Sequence, residues 1–122
     1  MRIAQIGPGI MPIPPDGWGA VEMLIWDYYQ VLTELGHEVD IINTPDRKEI
    51  VEKIWNGDYD AVHLHYDVFH NILGSLAAPV VIASSHYPFI NTPQMWARDN
   101  YDPVMRTYSQ NKQFHIFASS QK

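Results

Sequence analysis

The loop that follows the first predicted strand carries the residues best suited to binding chemistry. It runs from Gly7 to Glu22 and contains Gly17-Trp18-Gly19 immediately before a helical pattern. A strand, a glycine-containing loop and a helix start bring backbone N–H groups and the positive end of a helix dipole to one point. We therefore predict an anion site for a phosphate or a nucleotide sugar, where Gly17 and Gly19 let the ligand approach the backbone.

The loop departs from the common nucleotide-binding fingerprints. Gly7 and Gly9 match the first two positions of G-x-G-x-x-G, but Pro12 stands at the third. The second strand ends in Asn43-Thr44 instead of the acidic residue expected near a ribose, and the sequence contains no Gly-Lys-Ser/Thr. A dinucleotide-dependent enzyme is therefore disfavoured and a Walker-type loop is excluded. The alternative is that the glycines serve only tight turns.

Two histidines and one acid fall where the same crevice is expected. His65 lies near the end of the third predicted strand, His86 follows the fourth, and Glu22 lies in the first turn of the first helix. An imidazole there can donate to a sugar hydroxyl or act near neutral pH. Glu22 could meet a substrate hydroxyl or simply offset the helix dipole. His63 is better explained as a structural histidine. A metal triad of His65, Asp67 and His86 is disfavoured.

Trp18 lies within the loop, at the rim of the predicted crevice. Aromatic side chains stack on sugar rings, although loop aromatics more often pack against the loop itself. Trp18 is therefore a candidate substrate contact with a structural alternative.

Segments that alternate between strand and helix position these residues. The predicted strands are Met1–Gly7, His37–Asn43, Asp60–Tyr66, Pro79–Ser85 and Gln113–Ser119. The first helix is predicted from an apolar stripe of Val21, Leu24, Ile25, Tyr28, Leu32 and Leu35, and Gly36 ends it. The second helix begins at Thr44-Pro45-Asp46 and ends at Gly57, and further helices are predicted over 67–78 and between Pro93 and Asn111.

This alternation predicts an α/β fold, a Rossmann-like doubly wound parallel sheet of about five strands. The ligands of such sheets bind beyond the carboxyl ends of the strands. The continuous apolar run of the fourth strand is typical of a strand that is covered on both faces.

Size and composition limit the class of protein. The chain has 122 residues, enough for one domain, and its formal net charge is -6. An acidic chain is a poor candidate for binding nucleic acid or anionic membranes. It has no cysteine, no apolar run near the roughly 20 residues of a membrane span and no signal peptide pattern. These features predict a cytoplasmic location.

Several motifs in a fixed order resemble a known family. They are the opening strand, the loop ending Gly17-Trp18-Gly19-Ala20-Val21-Glu22, the turn Leu35-Gly36-His37-Glu38-Val39, the strand Asp60-Ala61-Val62-His63-Leu64-His65, and Val80-Val81-Ile82-Ala83-Ser84-Ser85-His86. Together they resemble the N-terminal domain of family-four glycosyltransferases, which have the GT-B fold. The resemblance covers nearly the whole chain.

The resemblance implies an activity and the residues that serve it. Members of the family transfer a sugar from a nucleotide sugar to an acceptor with retention of configuration, generally without a catalytic metal. No cofactor beyond the donor substrate is expected. Gly17 and Gly19 match the glycine loop at the donor's phosphates and sugar, although Ala20 replaces a second adjacent glycine. His86 matches a residue that contacts the transferred sugar near the reacting centre, and His65 matches a strand-end histidine.

The resemblance also implies a missing partner domain. Residues 1–122 are expected to form the acceptor-side half of a truncated enzyme, without the C-terminal domain that supplies most nucleotide contacts. We expect this chain alone to be inactive or nearly so, with a nucleotide-sugar donor and a glycan or small-molecule acceptor as partners. A homodimer through the uncovered face is a further expectation. The alternatives are a stand-alone Rossmann-like binding or regulatory domain and an epimerase or reductase.

Overall fold

The computed structural model describes residues 1–17, 19–85 and 115–118. Its elements follow the chain in the order β1 (Arg2–Gly7), α1 (Ala20–Glu34), β2 (Glu38–Asn43), α2 (Arg47–Gly57), β3 (Ala61–Leu64), a 3₁₀ helix (Asp67–Ser75), β4 (Val80–Ser85) and β5 (His115–Ala118). In the described part of the chain, no helix has the length and apolar character needed to cross a membrane.

The strands form one five-stranded parallel sheet in the order β2-β1-β3-β4-β5. This confirms the predicted α/β, Rossmann-like doubly wound sheet. The strand order reverses at β1, because β2 pairs with one side of it and β3 with the other. Ligand sites in such sheets lie beyond the carboxyl ends of the strands at the reversal. Gly7 pairs with Asn43, and Ile6 pairs with Leu64, so three strand ends meet at this edge.

The hydrophobic core lies on the sheet face covered by α2 and the 3₁₀ helix. Alternation along the strands turns one set of side chains to this face. The buried cluster consists of Ala4, Ile6, Ile42, Ile50, Ile54, Tyr59, Val62, Leu64, Phe69, Ile72, Leu73, Leu76, Val81 and Ala83. The opposite face carries Gln5 and His63 and is partly covered by α1.

The apolar stripe of α1 is only partly buried. Within the helix only Glu22 and Ile25 are buried, whereas Tyr28 is 38% exposed and Leu35 is 68% exposed. The helix covers β1 and β2 and leaves an open groove of 480 Å³ beside it, which Tyr28, Leu32, Ile82 and other residues line. The spacing of the apolar residues predicted α1 correctly. The burial of these residues depends on the other elements that pack on the same face of the sheet.

The ends of both α-helices agree with their predicted signals. Gly36 adopts a φ of 92°, and the N–H groups of Gly36 and His37 donate to the carbonyls of Thr33 and Leu32 at the end of α1. Asp46 caps α2 by accepting hydrogen bonds from the backbone N–H groups of Lys48 and Glu49.

Two predicted elements differ from the structure or fall outside it. The segment predicted as a helix over 67–78 is a 3₁₀ helix that ends at Ser75. Asn71 and Gly74 lower its α-helix propensity, which favours the tighter turn. The helix predicted between Pro93 and Asn111 lies outside the described residues.

Candidate substrate site at the carboxyl edge of the sheet

Asn43 attaches the β1–α1 loop, residues 8–19, to the end of β2. Its side-chain oxygen accepts a hydrogen bond of 2.8 Å from the N–H of Gly9, and its side-chain nitrogen donates to the carbonyl of Met11 at 2.7 Å. Both polar ends of one side chain are therefore used on the loop. This contact fixes the course of the loop without any ligand.

Gly7 at the end of β1 and Gly9 in the loop have a structural explanation. A Cβ on Gly9 would overlap the carbonyl carbon of Thr44, and Gly9 has a φ of 74°. A Cβ on Gly7 would lie 2.8 Å from the side-chain oxygen of Asn43. These glycines allow the loop to lie against the end of β2, so the partial match to G-x-G-x-x-G reflects packing in the chain itself.

The next two glycines of the loop lie in different surroundings. A Cβ on Gly17 would meet no atom within 4 Å, so this backbone faces open space. A Cβ on Gly19 would lie 2.9 Å from Oε1 of Glu22 and 3.0 Å from the sulfur of Met11. Gly19 is buried and is the N-cap of α1. Gly17 therefore offers backbone to a ligand, whereas Gly19 leaves room for the Glu22 side chain.

Glu22 is a buried acid in the first turn of α1. It is 7% exposed, and its carboxylate is turned back toward the N-cap, as side chains on helices point. Within residues 1–17, 19–85 and 115–118, no group donates a hydrogen bond to this carboxylate or forms an ion pair with it. A buried polar group without a partner is costly, so this carboxylate is ready to accept a hydrogen bond.

Two histidines lie side by side on the α1 face of the sheet. The ring centroids of His63 and His65 are 3.8 Å apart. His63 Nε2 lies 2.7 Å from the hydroxyl oxygen of Ser84, and His65 Nε2 lies 2.5 Å from Oε1 of Gln5. Because an amide oxygen only accepts, His65 donates in this contact. The shared face of the two histidines agrees with the predicted alternation.

His65 lies just beyond β3, beside the end of β1, because its N–H donates to the carbonyl of Ile6. Its side chain is only 2% exposed, and Gln5 is 1% exposed. The structure thus brings His65 to the predicted edge of the sheet but gives its imidazole a buried partner. A role in binding substrate stays a prediction for this residue.

The predicted site residues fall into three groups. Gly17, Gly19 and Glu22 lie together at the junction of the loop and α1. His65 follows β3 at the same edge of the sheet. Trp18 and His86 lie outside the described residues. Among the residues that the structure describes, no group of three or more potential ligands could hold a metal ion.

Sequence reasoning missed three residues that organise this edge. Asn43 holds the loop, Gln5 contacts His65, and Ser84 contacts His63. The only available signal for Gln5 was an amide within an otherwise apolar strand. For Asn43 it was a polar residue at the end of the strand beside the glycine loop, which we considered only as a replacement for a ribose-binding acid.

Comparison with known proteins finds a similarity in fold. No family model and no curated protein matches the chain. A solved structure, the glycosyltransferase AviGT4 involved in avilamycin A biosynthesis, matches with a TM-score of 0.60 and 22% sequence identity. The match covers 70% of this chain and 32% of AviGT4. The chain therefore has a glycosyltransferase-like α/β fold and spans a minor part of the length of AviGT4.

Proposed function

We propose that this chain is the N-terminal, acceptor-side domain of a retaining GT-B glycosyltransferase of family four. In this proposal it helps to transfer a sugar from a nucleotide sugar to a glycan or small-molecule acceptor. The observation that carries the proposal is the junction of residues 17–22, where open backbone, a helix N-terminus and a buried carboxylate meet at the reversal of strand order. The fold similarity to AviGT4 supports the same class of enzyme.

The geometry of the junction supports a binding role. Gly17 leaves its backbone accessible, and Asn43 fixes the loop before any ligand arrives. A loop that is already ordered loses less conformational entropy when it binds. The free N–H groups of the first turn of α1 can donate to ligand oxygens.

Each predicted residue has a role in the proposal. Gly17 and Gly19 bring backbone close to the donor, and Trp18 contributes a surface on which a sugar ring can stack. Glu22 accepts hydrogen bonds from the ligand. His65 supports the edge of β3 or contacts substrate directly. His86 is the candidate catalytic residue, in contact with the transferred sugar.

The proposal also requires a second domain. Departure of a nucleoside diphosphate requires positive charge to stabilise it, and this contribution is usually large. No lysine or arginine stands between Arg2 and Arg47, the stretch that contains the loop. A C-terminal domain would supply those cations, and the isolated chain is expected to transfer sugar poorly or not at all.

The absence of lysine and arginine between Arg2 and Arg47 also favours a second candidate function. A Rossmann-like domain that binds a sugar-bearing ligand without chemistry needs no group to stabilise a leaving diphosphate. The two functions are separated by assaying sugar transfer with the gene product that includes any sequence following Lys122. Transfer supports the enzyme, whereas binding without transfer supports the binding or regulatory domain.

Substitution of Gly17 tests the proposed site with little risk to the fold. A Cβ there meets nothing within 4 Å, so Gly17→Ala should fold normally and obstruct only an approaching ligand. The matched control is Gly74→Ala in the 3₁₀ helix, where a Cβ also meets nothing within 4 Å. Binding of UDP-glucose, GDP-mannose and related nucleotide sugars is measured by NMR titration for all three proteins.

The proposal expects one or more of these donors to bind the wild type and the Gly74→Ala variant equally. The Gly17→Ala variant should bind the same donor several-fold more weakly. Failure of every donor to bind both the wild-type chain and the gene product that includes any sequence following Lys122 would contradict the proposal. If the Gly17→Ala variant binds the donor as tightly as the wild type does, the loop is not part of the binding site.

A further inference from the structure

We infer that the open groove beside α1 is the packing surface for an amphipathic helix that follows β5 in the full gene product, with basic residues beside its apolar stripe. This inference rests on the proposed function, in which further sequence follows Lys122. It assigns an occupant to the groove that Tyr28, Leu32 and Ile82 line.

α1 presents an exposed stripe of apolar residues beside its buried face. The stripe consists of Leu24, Tyr28, Val31 and Leu35, whose spacing of four, three and four residues puts them on one side of the helix. Tyr28 is 38% exposed, Val31 54% and Leu35 68%. Two helices that pack along each other bury residues with this spacing. The exposed stripe therefore suits a second helix that lies alongside α1.

The groove continues the exposed stripe onto the sheet. Tyr28 belongs to both, and the sheet side of the groove includes Ile3, Gln5, Ala61, His63, Ile82 and Ser84 of β1, β3 and β4. α2 and the 3₁₀ helix pack against the opposite face of the sheet. A helix seated in the groove would therefore contact α1 and the sheet together, which is how helices are buried in layered α/β folds.

The charge of α1 indicates the chemistry of the occupant. Asp27 and Glu34 are exposed and lie four residues before and three residues after Val31, so both border the exposed stripe. No lysine or arginine stands between Arg2 and Arg47. A second copy of the chain that packed here through its own α1 would bring like charges together. A helix with lysine or arginine beside its apolar stripe complements this surface.

The order of the strands indicates where this helix lies in the chain. The connection from β1 to β2 contains α1 and crosses the sheet in one direction, whereas the connection from β2 to β3 contains α2 and crosses it in the other. Right-handed crossovers place these two helices on opposite faces. β5 follows β4 at the end of the strand order, so a segment that leaves β5 and turns back toward β1 moves in the same direction as α1. The same handedness places that segment on the α1 face.

Cysteine labelling tests the inference, because residues 1–122 contain no cysteine. Val31→Cys places a thiol on the exposed stripe, and Gln30→Cys is the matched control at an exposed position on another side of α1. The rate of reaction with a maleimide is measured for both variants in the 122-residue chain and in the gene product that includes the sequence following Lys122. Mass spectrometry identifies the labelled peptide, and the amide spectrum of each variant reports whether it is folded.

We expect Val31→Cys to react about tenfold more slowly in the longer gene product than in the 122-residue chain, because the helix must open before the thiol is reached. Gln30→Cys should react at similar rates in both proteins. A benzophenone maleimide attached at the Val31→Cys thiol should cross-link to a segment that follows Lys122 and has lysine or arginine beside an apolar stripe.

Three results would overturn the inference. One is a coding sequence that ends at Lys122. Another is an equal rate for Val31→Cys in both proteins, or a cross-link to residues 86–114. The third is a rate in the shorter chain that falls as its concentration rises, with cross-links between two chains, which would assign the surface to a second copy.

The labelling also separates this inference from the proposed function. Sugar transfer by a gene product in which the Val31→Cys thiol reacts as fast as in the shorter chain would overturn the inference alone. A slow reaction of Val31→Cys in a gene product that binds no nucleotide sugar would contradict the proposed function alone.

Discussion

The Asn43 side chain makes two hydrogen bonds with the backbone of the β1–α1 loop. Its carboxamide accepts from Gly9 and donates to Met11, and the close approach of Gly9 to Thr44 completes the contact. The course of the loop is therefore set by the end of the neighbouring strand. The binding role of Gly17 depends on that course.

We expect Asn43→Ala to loosen the loop and to lower the free energy of unfolding by about 1–3 kcal/mol, because two loop groups lose their partners. Amide hydrogen exchange at Gly9 should become much faster. The control Asn56→Ala removes the same kind of side chain from an exposed position on α2 and should change neither quantity appreciably. Unaltered exchange at Gly9 in Asn43→Ala would refute the role given to Asn43.

Tyr59 makes stability depend on pH in the alkaline range. Burial, together with a hydrogen bond of 2.7 Å that its hydroxyl donates to Asp40, raises the pKa of Tyr59 from 10.0 to about 12. The folded protein therefore holds this proton more tightly than the unfolded chain does. Its contribution to stability is complete below about pH 10 and is lost as the pH rises toward about 12.

Urea unfolding across this alkaline range checks the prediction for Tyr59. The wild type should lose stability steadily between about pH 10 and about pH 12, and Tyr59→Phe should lose less over the same range. Tyr29→Phe, which leaves Tyr59 intact, should follow the wild type. A Tyr59→Phe variant with the wild-type pH dependence would show that other groups cause the loss.

At the scale of elements, α2 has both of its ends encoded locally. Asp46 accepts two backbone hydrogen bonds at the start, and Asp58 adopts a left-handed conformation with a φ of 54° just beyond Gly57. Ile50 and Ile54 bury one face against the core. The capping residues and the apolar period therefore indicate the same helix.

Substitutions of the N-cap residue Asp46 should destabilise α2 to different extents. Asp46→Ala is expected to lower the free energy of unfolding by about 1 kcal/mol, because two N–H groups lose their acceptor. Asp46→Asn retains a side-chain acceptor and should cost clearly less. Urea denaturation at neutral pH measures both. Equal losses for the two variants would show that the cap hydrogen bonds are not the cause.

The boundaries of α2 could be predicted because the signals lie within the helix, whereas the burial of α1 could not. The stripe of Tyr28, Leu32 and Leu35 correctly indicates a helix, but exposure of these residues depends on distant elements that share the sheet face. The 3₁₀ helix shows a similar limit of prediction from sequence. Over nine residues, the spacing of apolar residues does not distinguish an α-helix from a 3₁₀ helix.

At the scale of the whole molecule, residues 1–17, 19–85 and 115–118 pack the two faces of the sheet unequally. One face buries the main core under α2 and the 3₁₀ helix, and the other carries α1 beside an open groove. Large-to-small substitutions should therefore cost more on the first face than on the second. This asymmetry is a property of the topology, since the parallel order and its crossovers put α2 and the 3₁₀ helix on the same side.

A matched pair of variants measures this asymmetry. Ile54→Ala removes a fully buried side chain and should cost about 2–5 kcal/mol of unfolding free energy. Leu32→Ala removes a side chain at the groove and should cost less than about 1.5 kcal/mol, because the site is open to solvent and no closed cavity results. Equal costs would show that the α1 face is as tightly packed as the core.

The sequence predicts the edge of the sheet at which the candidate residues lie, because this edge follows from the strand topology. The alternation of elements predicts parallel strands, and these place the start of the β1–α1 loop and His65 at the same edge of the sheet. Contacts between distant residues were not encoded in any local pattern. The contact of Asn43 with the loop and that of Gln5 with His65 span 34 and 60 residues.

The most direct test of the central claim, that a nucleotide sugar binds at the loop–α1 junction, is a chemical-shift map of the ¹⁵N-labelled chain. The map is recorded with UDP-glucose and GDP-mannose as the first donors of a panel. The account predicts that the largest shifts fall within residues 17–22 and at His86. Shifts that cluster instead around Leu32 and Ile82 in the groove, or no shifts with any donor, would contradict it.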